Sequence, residues 1–581
     1  MVASSERNAR WARVLVESLA RLGLRDAVIA PGSRSTPLTL ALAEIEAVEA
    51  VPVLDERSAA FFALGIAKRS HRPVAVVCSS GTAAANFLPA IVEAHESRTP
   101  LLVLTADRPP ELRDCNAGQT IDQVKLYGSY PNWQAELALP SLEPAMLAYL
   151  RQTAATFWER AGMPAPGPVH LNVPFRDPLV PTDRTDASRF VATLAADGFF
   201  ANLGAVPSSW QLDASADAVV ADLLDCERGI IICGPARPAD PGAYACAIGV
   251  IAERLGWPVL ADGLSPVRNV ASCNPQLVAG YAAILRNERL ASALAPEHVL
   301  RFGELPTSKE LRTWLERAGP RAIVADPVVR NVDPLHLRTR ALRIDPGALA
   351  ERIPARPVRD SAYRTAWLDA ETRVRRAIDR EMTACARLFE PKVAWLIARS
   401  VPAQTPVFIS NSMPVRDVES FWLPSNARTI PYANRGANGI DGIVSTALGV
   451  AHRGAPSVLL IGDLAFLHDQ TGLLIAPSLA GHLTIVVVDN NGGGIFQNLP
   501  IAELDPPFER FFATPQAVDL GLLCRAHGVA HRQIGSWTEL EIELRTLPAH
   551  GVRVLVVPTD RRADAIERRA LWARLAVEAG A

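Results

Sequence analysis

Two runs decide the fold of this chain: Ser457-Val458-Leu459-Leu460-Ile461-Gly462-Asp463-Leu464 and, further on, Leu483-Thr484-Ile485-Val486-Val487-Val488-Asp489-Asn490-Asn491-Gly492-Gly493-Gly494-Ile495-Phe496. Apolar residues at 458–461 and 483–488 predict two short buried strands, and the segment 467–479 between them predicts a helix. A parallel β-α-β unit of this kind returns right-handed and sets its strand ends side by side. The oxygen donors Asp463 and Asn490, 27 positions apart, then meet at the carboxyl edge of one sheet. Oxygen donors suit a hard cation such as Mg²⁺. The glycine run lets backbone approach a diphosphate, and the helix start after Asp463 favours negative charge. The same spacing also fits an ordinary βα loop with an Asn-Gly turn.

At 581 residues the chain exceeds what one core organises, and three domains of roughly 150–200 residues are expected. Its composition, 49% hydrophobic and 21% charged, is that of a globular protein. With 59 basic against 61 acidic residues there is no global field to recruit nucleic acid or a membrane surface, so any anion site is local. Eight scattered cysteines without a Cys-X-X-Cys pair argue against a zinc site and a disulfide framework, and point to a reduced, cytoplasmic location. Residues 1–22 read as an amphipathic helix, with Trp11, Val14, Leu15, Leu19 and Leu22 on one face, and not as a signal peptide. The apolar runs are too short to span a bilayer, so no stable membrane insertion is expected.

Short β-branched runs alternate with helical patterns along the chain, the pattern of α/β domains with doubly wound parallel sheets. Strands are predicted at 27–30, 74–78, 101–105 and 170–173, then at 229–233, 259–261, 298–302 and 322–325, then at 407–410, 458–461, 483–488 and 552–557. Polar, proline-containing breaks divide the chain into domains at 1–182, 183–358 and 359–581.

In the first block, Pro31-Gly32-Ser33-Arg34-Ser35-Thr36-Pro37 follows the first strand and opens a helix. Such a turn can bind an anion, and Arg34 offers a fork for a carboxylate; an N-capped helix with a solvated arginine fits equally. Asp55-Glu56-Arg57 puts acids at the start of an apolar helix, where they ordinarily stabilise the dipole. Ser79-Ser80-Gly81-Thr82, Asp107-Arg108-Pro109 and Asn116-Ala117-Gly118-Gln119 are further polar loops expected at the same sheet edge, where doubly wound sheets bind ligands.

Together with Asn434-Arg435-Gly436-Ala437 and Gly439-Ile440-Asp441-Gly442, these segments closely resemble the thiamin diphosphate-dependent enzymes. Within them the resemblance is to the menaquinone-pathway 2-succinyl-5-enolpyruvyl-6-hydroxy-3-cyclohexene-1-carboxylate synthases, and it covers essentially the whole chain. It implies three domains of the thiamin diphosphate-enzyme type: pyrimidine-binding, central and diphosphate-binding. It implies decarboxylation of 2-oxoglutarate and addition of the resulting unit to isochorismate, on thiamin diphosphate with Mg²⁺ or Mn²⁺.

By the same resemblance Glu56 is the catalytic acid, hydrogen-bonding a ring nitrogen of the aminopyrimidine. Asn411, Ser412, Ile440, Gly462, Asp463, Leu464, Asn490 and Ile495 belong to the cofactor site, with Ile440 propping the cofactor into a bent shape. Asp463, Asn490 and Gly492 bind the metal. Ser33, Arg34, Arg108, Gln119, Arg416, Arg435, Phe496 and Lys309 recognise substrate. Two departures stand out: Asn116-Ala117-Gly118-Gln119 keeps only the glutamine of the family's Gly-Ala-Asn-Gln, and an expected basic pair appears as Lys309-Glu310. The assembly implied is a homodimer with shared active sites, or a dimer of dimers.

Other readings fit less well. An acetolactate-synthase-like carboligase shares fold and cofactor but does not call for so many arginines, and a non-catalytic cofactor sensor would not need Glu56. A nicotinamide dehydrogenase lacks its Gly-X-Gly-X-X-Gly turn here, and a P-loop NTPase lacks any Gly-Lys pair.

Overall fold

Among the described residues three six-stranded sheets are formed, and every strand pair in them is parallel. The computed structural model describes residues 3–204, 216–328, 330–355 and 361–581. In the first sheet the order is Glu49–Pro52, Asp26–Ile29, Val74–Cys78, Leu101–Asp107, Pro168–Pro174, Trp133–Glu136. The third repeats that topology with Ile430–Tyr432, Pro406–Ile409, Ser457–Gly462, His482–Asp489, Gly551–Pro558, Ala530–Gln533. The second runs Arg338–Leu342, Arg321–Ala325, His298–Phe302, Gly229–Cys233, Val259–Ala261, Leu277–Val278.

The inner strands are buried along almost their whole length, as in Val74–Cys78, Leu101–Asp107 and Gly229–Cys233. Continuous apolar runs of this kind are what a parallel sheet covered on both faces demands. Each sheet has a point where the chain's progress reverses: between Asp26–Ile29 and Val74–Cys78, between Gly229–Cys233 and His298–Phe302, and between Pro406–Ile409 and Ser457–Gly462. The loops leaving those strand pairs diverge and open a crevice at the carboxyl edge.

By contact the chain forms two compact units, one of Met1–Ser209, Asn434–Gly454 and His468–Ala480, the other of Trp210–Ala433, Ala455–Leu467 and Gly481–Ala581. The first holds the first sheet, with the amphipathic helix Ser4–Leu22 burying Trp11, Val14, Leu15, Leu19 and Leu22. The second holds the other two sheets around cores that include Trp257, Trp314 and Trp367. The sequence boundary at 358/359 lies outside the described residues.

Two expectations change. The helix expected at 467–479 is a short α-helix, Asp463–His468, followed by a 3-10 segment, Gln470–Ser478. Pro477 inside that segment cannot sustain the α ladder. A Cβ on Gly472 would stand 2.7 Å from Ser445 Oγ, so the backbone is drawn in close. The reading against a disulfide framework is qualified by one bridge: Cys246 and Cys273, 27 residues apart, are bonded, with Cα atoms 4.9 Å apart. The helix Pro241–Leu255 packs on the turn holding Cys273, a proximity that cysteine spacing does not encode. Among the described residues no helix is long and apolar enough to cross a membrane.

One glycine is decisive for the loop that carries Ile440. Gly442 has φ +63°, and a Cβ there would lie 2.0 Å from the ring of Phe61, itself buried. Left-handed backbone and overpacking each cost a non-glycine residue about 1–3 kcal/mol. Gly442→Ala is therefore expected to lower the thermal unfolding midpoint by several degrees. A midpoint equal to the parent's in calorimetry would show that the loop relaxes freely.

Candidate active site

Asp463 and Asn490 lie at the carboxyl edge of the third sheet, next to its switch point. Gly462 and Val488 are paired in register, so the residues following them emerge side by side. Asp463 accepts from the Leu464 amide at 2.7 Å and from the Gly492 amide at 2.7 Å. Burial, reinforced by Asp489 and Glu390 nearby, pushes its carboxyl up to about 7. Gly492 has φ +130°, and a Cβ on it would meet the Ala513 carbonyl at 2.3 Å, so only glycine lets the turn close. Arg561 donates to the Asn491 carbonyl at 2.6 Å and fixes the far side of the loop.

Asn490 is buried. Its Nδ2 donates to Glu390, while its Oδ1 has no hydrogen-bond partner among the described residues. An orphaned buried carbonyl beside a buried carboxylate is a donor set short of a cation, and oxygen donors fit Mg²⁺ or Mn²⁺. One carboxylate, one amide and backbone make up this set. No cluster of three or more His, Cys, Asp or Glu suited to a metal occurs among the described residues.

The strand on the other side of the same switch point, Pro406–Ile409, leads into Asn411 and Ser412. Asn411 is buried, and Ser412 adopts φ +70°, an unusual conformation for a serine, as it enters the helix Met413–Phe421. Arg416 is exposed on that helix and donates to the Ser412 carbonyl at 2.6 Å. Leu464 and Ile495 are half-buried, as is Phe496, whose ring meets Phe512 edge-on with centroids 5.8 Å apart. Lys309 is exposed at the start of the helix Lys309–Ala318, which follows the switch-point strand of the second sheet.

In the other unit four loops meet at the carboxyl edge of the first sheet. Glu56 opens the helix Glu56–Ser70, and Asp55 caps it by accepting from the Arg57 amide at 3.0 Å. Glu56 is half-buried. Burial, with a contribution from its charge, raises the Cys78 thiol at the end of the next strand well above its usual range.

Arg108 donates to the Ser80 hydroxyl and, at 2.8 Å, to the Gln119 carbonyl, and Gln119 Nε2 returns a bond to the Ser80 carbonyl at 3.0 Å. Burial and the nearby Arg34 both depress the basicity of Arg108. Arg34 is buried, donating to the Phe175 carbonyl at 2.9 Å and to Asp177 at 3.0 Å, while its Nε has no partner among the described residues. Ser33 beside it is exposed.

The loop with Arg435 and Ile440 belongs to this unit too. Its Gly436 and Ala437 amides donate to Glu93 at 3.1 and 2.7 Å, and Lys68 pairs with Glu93 at 3.0 Å with both side chains almost fully buried. Ile440 is half-buried and not part of the core. Asp469 holds the start of the following helix through the Ser445 amide at 2.7 Å and hydroxyl at 3.0 Å, and burial pushes its carboxyl up to about 7.

Sequence reasoning missed Gln123, Glu93 and Glu390. Gln123 is buried; it accepts from the Gly81 amide at 2.8 Å and donates to Ala106 and Asn172, locking the Ser80-Gly81 turn. None lies in a recognisable motif. Glu390, at the start of a helix, reads as an ordinary helix-end acid.

Comparison with known proteins bears on this arrangement directly. Residues 9–126 match the N-terminal TPP binding domain of thiamine pyrophosphate enzymes, and residues 211–409 match the middle domain of thiamine pyrophosphate enzymes. The 2-succinyl-5-enolpyruvyl-6-hydroxy-3-cyclohexene-1-carboxylate synthase of Nostoc sp. (strain PCC 7120) is 54% identical over 97% of both chains. That of Synechococcus sp. (strain JA-3-3Ab) is 54% identical over 98% of this chain and 96% of the relative. Among solved structures, benzoylformate decarboxylase from Polynucleobacter necessarius aligns with a TM-score of 0.68 at 17% identity, covering 95% of this chain and 98% of that one, a likeness of fold. The chain belongs to the 2-succinyl-5-enolpyruvyl-6-hydroxy-3-cyclohexene-1-carboxylate synthase family of thiamin diphosphate (thiamine pyrophosphate) enzymes.

Proposed function

We propose that the chain decarboxylates 2-oxoglutarate and joins the four-carbon unit to isochorismate. The products are carbon dioxide and 2-succinyl-5-enolpyruvyl-6-hydroxy-3-cyclohexene-1-carboxylate for menaquinone biosynthesis, and the enzyme works as a cytoplasmic homodimer. The observation that carries this reading is the 54% identity, over nearly full length, to synthases of that product. Three domains, 1–182, 183–358 and 359–581, would provide the pyrimidine, central and diphosphate regions.

Thiamin diphosphate, when bound, supplies the carbon chemistry that releases carbon dioxide from a 2-oxoacid and makes its acyl carbon nucleophilic. The chain's own residues orient and protonate. Asp463, Asn490 and the Gly492 carbonyl would hold Mg²⁺ or Mn²⁺, whose charge would offset that of a diphosphate. Asn411, Ser412, Gly462, Leu464 and Ile495 would line the diphosphate end, and Ile440 would support the cofactor from its glycine-bounded loop. Glu56 would share a proton with a ring nitrogen of the aminopyrimidine when the cofactor is bound, controlling its tautomer.

Both substrates are dianionic, so fixed cations must meet several carboxylates. Arginine suits this role because its fork binds a carboxylate bidentately and stays charged. Arg34, Arg108, Arg416 and Arg435 fill that role in this reading, with Lys309 as a further cation. Ser33 and Gln119 meet hydroxyl or carboxylate oxygens, and Phe496 forms an apolar wall.

The test follows isochorismate loss with each component omitted in turn. Loss is expected only when 2-oxoglutarate, thiamin diphosphate and Mg²⁺ are all present; chelation abolishes it and metal with cofactor restores it. Full turnover by a verified metal-free, cofactor-free preparation, or isochorismate loss independent of 2-oxoglutarate, would overturn the reading.

A further inference from the structure

Asn490 meets a buried polar relay on the side of its amide nitrogen. Its Nδ2 donates to Glu390 Oε1, and Glu390 Oε2 accepts from Arg568 Nη2 at 3.1 Å. Arg568 in turn holds Asp417, donating to it from Nη1 and, at 3.2 Å, from Nη2. The Glu390 backbone amide is pinned by Asp564 at 3.1 Å. The Glu390 and Asp417 side chains are 4% exposed and that of Arg568 8%, so none of these charges is there for solvent contact. A Cβ on Gly494 would lie 2.5 Å from Asn490 Nδ2 and 3.4 Å from Glu390 Oε1, so the glycine run also leaves room for this contact.

The chemistry of the contact has one sense. A carboxylate only accepts, so the amide must present its NH₂ to Glu390, and its carbonyl oxygen, the atom without a partner, is left for another group. A cation needs that oxygen, whereas a flipped amide would turn two N–H donors toward it. We propose that Glu390 is the positioning residue for the metal: with Arg568 behind it, it sets the orientation of the Asn490 amide so that the carbonyl oxygen faces the cation. The inference rests on the metal role of Asn490 given above.

Swapping donors and acceptors tests it. In Glu390→Gln, Arg568 still demands an acceptor, so the glutamine carbonyl turns to Arg568 and its NH₂ to residue 490. Asn490 must then flip. In Asn490→Asp, two carboxylates face each other. The double variant E390Q/N490D satisfies every partner again, because the glutamine NH₂ donates to one aspartate oxygen and leaves the other for the metal.

The probe is Mn²⁺ in the presence of thiamin diphosphate, with free ion read by electron paramagnetic resonance and folding by circular dichroism. Each single variant is expected to bind Mn²⁺ about 10–100-fold more weakly, the usual effect of disturbing the partners of a metal ligand. The double variant recovers to within a few-fold of the parent. Parent-like binding by E390Q, or a double variant no tighter than N490D, overturns the inference. Where E390Q alone fails to fold, the comparison of N490D with the double variant decides. Failure of the unmodified protein to bind Mn²⁺ would instead overturn the metal reading itself.

Discussion

Replacing Glu56 by glutamine is expected to lower turnover about 10²–10⁴-fold, the range for a lost acid or base, with cofactor binding within a few-fold of the parent. The structure separates this from a folding role. Asp55 already caps the helix Glu56–Ser70 through the Arg57 amide, so residue 56 is not needed to satisfy that helix end. Glutamine keeps the size and most hydrogen bonds of glutamate but cannot share an ionisable proton with a ring nitrogen. Steady-state turnover at saturating substrates, beside calorimetric titration of thiamin diphosphate with Mg²⁺, separates the two effects. Unchanged turnover would reduce Glu56 to a charge at a helix dipole, and lost cofactor binding would make it a binding group.

The twelve strands read from the sequence are the four inner strands of each sheet, and the strands it hid are the edges. Trp133–Glu136 and Ala530–Gln533 are only partly covered, Leu277–Val278 is two residues long, and Arg338–Leu342 carries three exposed or half-exposed arginines and threonines before its buried leucine. An edge strand in a parallel sheet loses the continuous apolar run that betrays an inner one, and its polar side chains resist pairing with another chain. The residues following inner strands were therefore legible as well. Asp463 and Asn490 follow paired strands, and Arg34, Ser80 and Arg108 follow three others. Partners on distant segments were not. Glu390 lies 100 positions from Asn490, and Glu93 lies 343 from Gly436, separations at which no local pattern survives. The 3-10 segment Gln470–Ser478 misled because a crossover between parallel strands is ordinarily an α-helix, while Pro477 and the close approach of Gly472 settle the backbone.

Mixing two inactive variants, Glu56→Ala and Asp463→Ala, is expected to restore roughly a quarter of parental activity. In the reading proposed above, one cofactor needs the proton held by Glu56 and the metal held by Asp463, and in a homodimer with shared active sites these come from different subunits. Each variant homodimer then lacks one requirement at both sites. A mixed dimer joins the intact Glu56 of one subunit to the intact Asp463 of the other at one site, and places both lesions together at the second. Random reassortment of equal amounts makes about half of the dimers mixed, and half of their sites work. Co-expression with two different affinity tags isolates the mixed species, whose activity should approach half of the parent's. An inactive mixed dimer of verified composition would place the whole site within one chain. The value of the pair is that neither substitution can rescue the other by chemistry, since alanine supplies neither a proton nor a metal ligand; any recovered turnover has to come from the geometry of assembly.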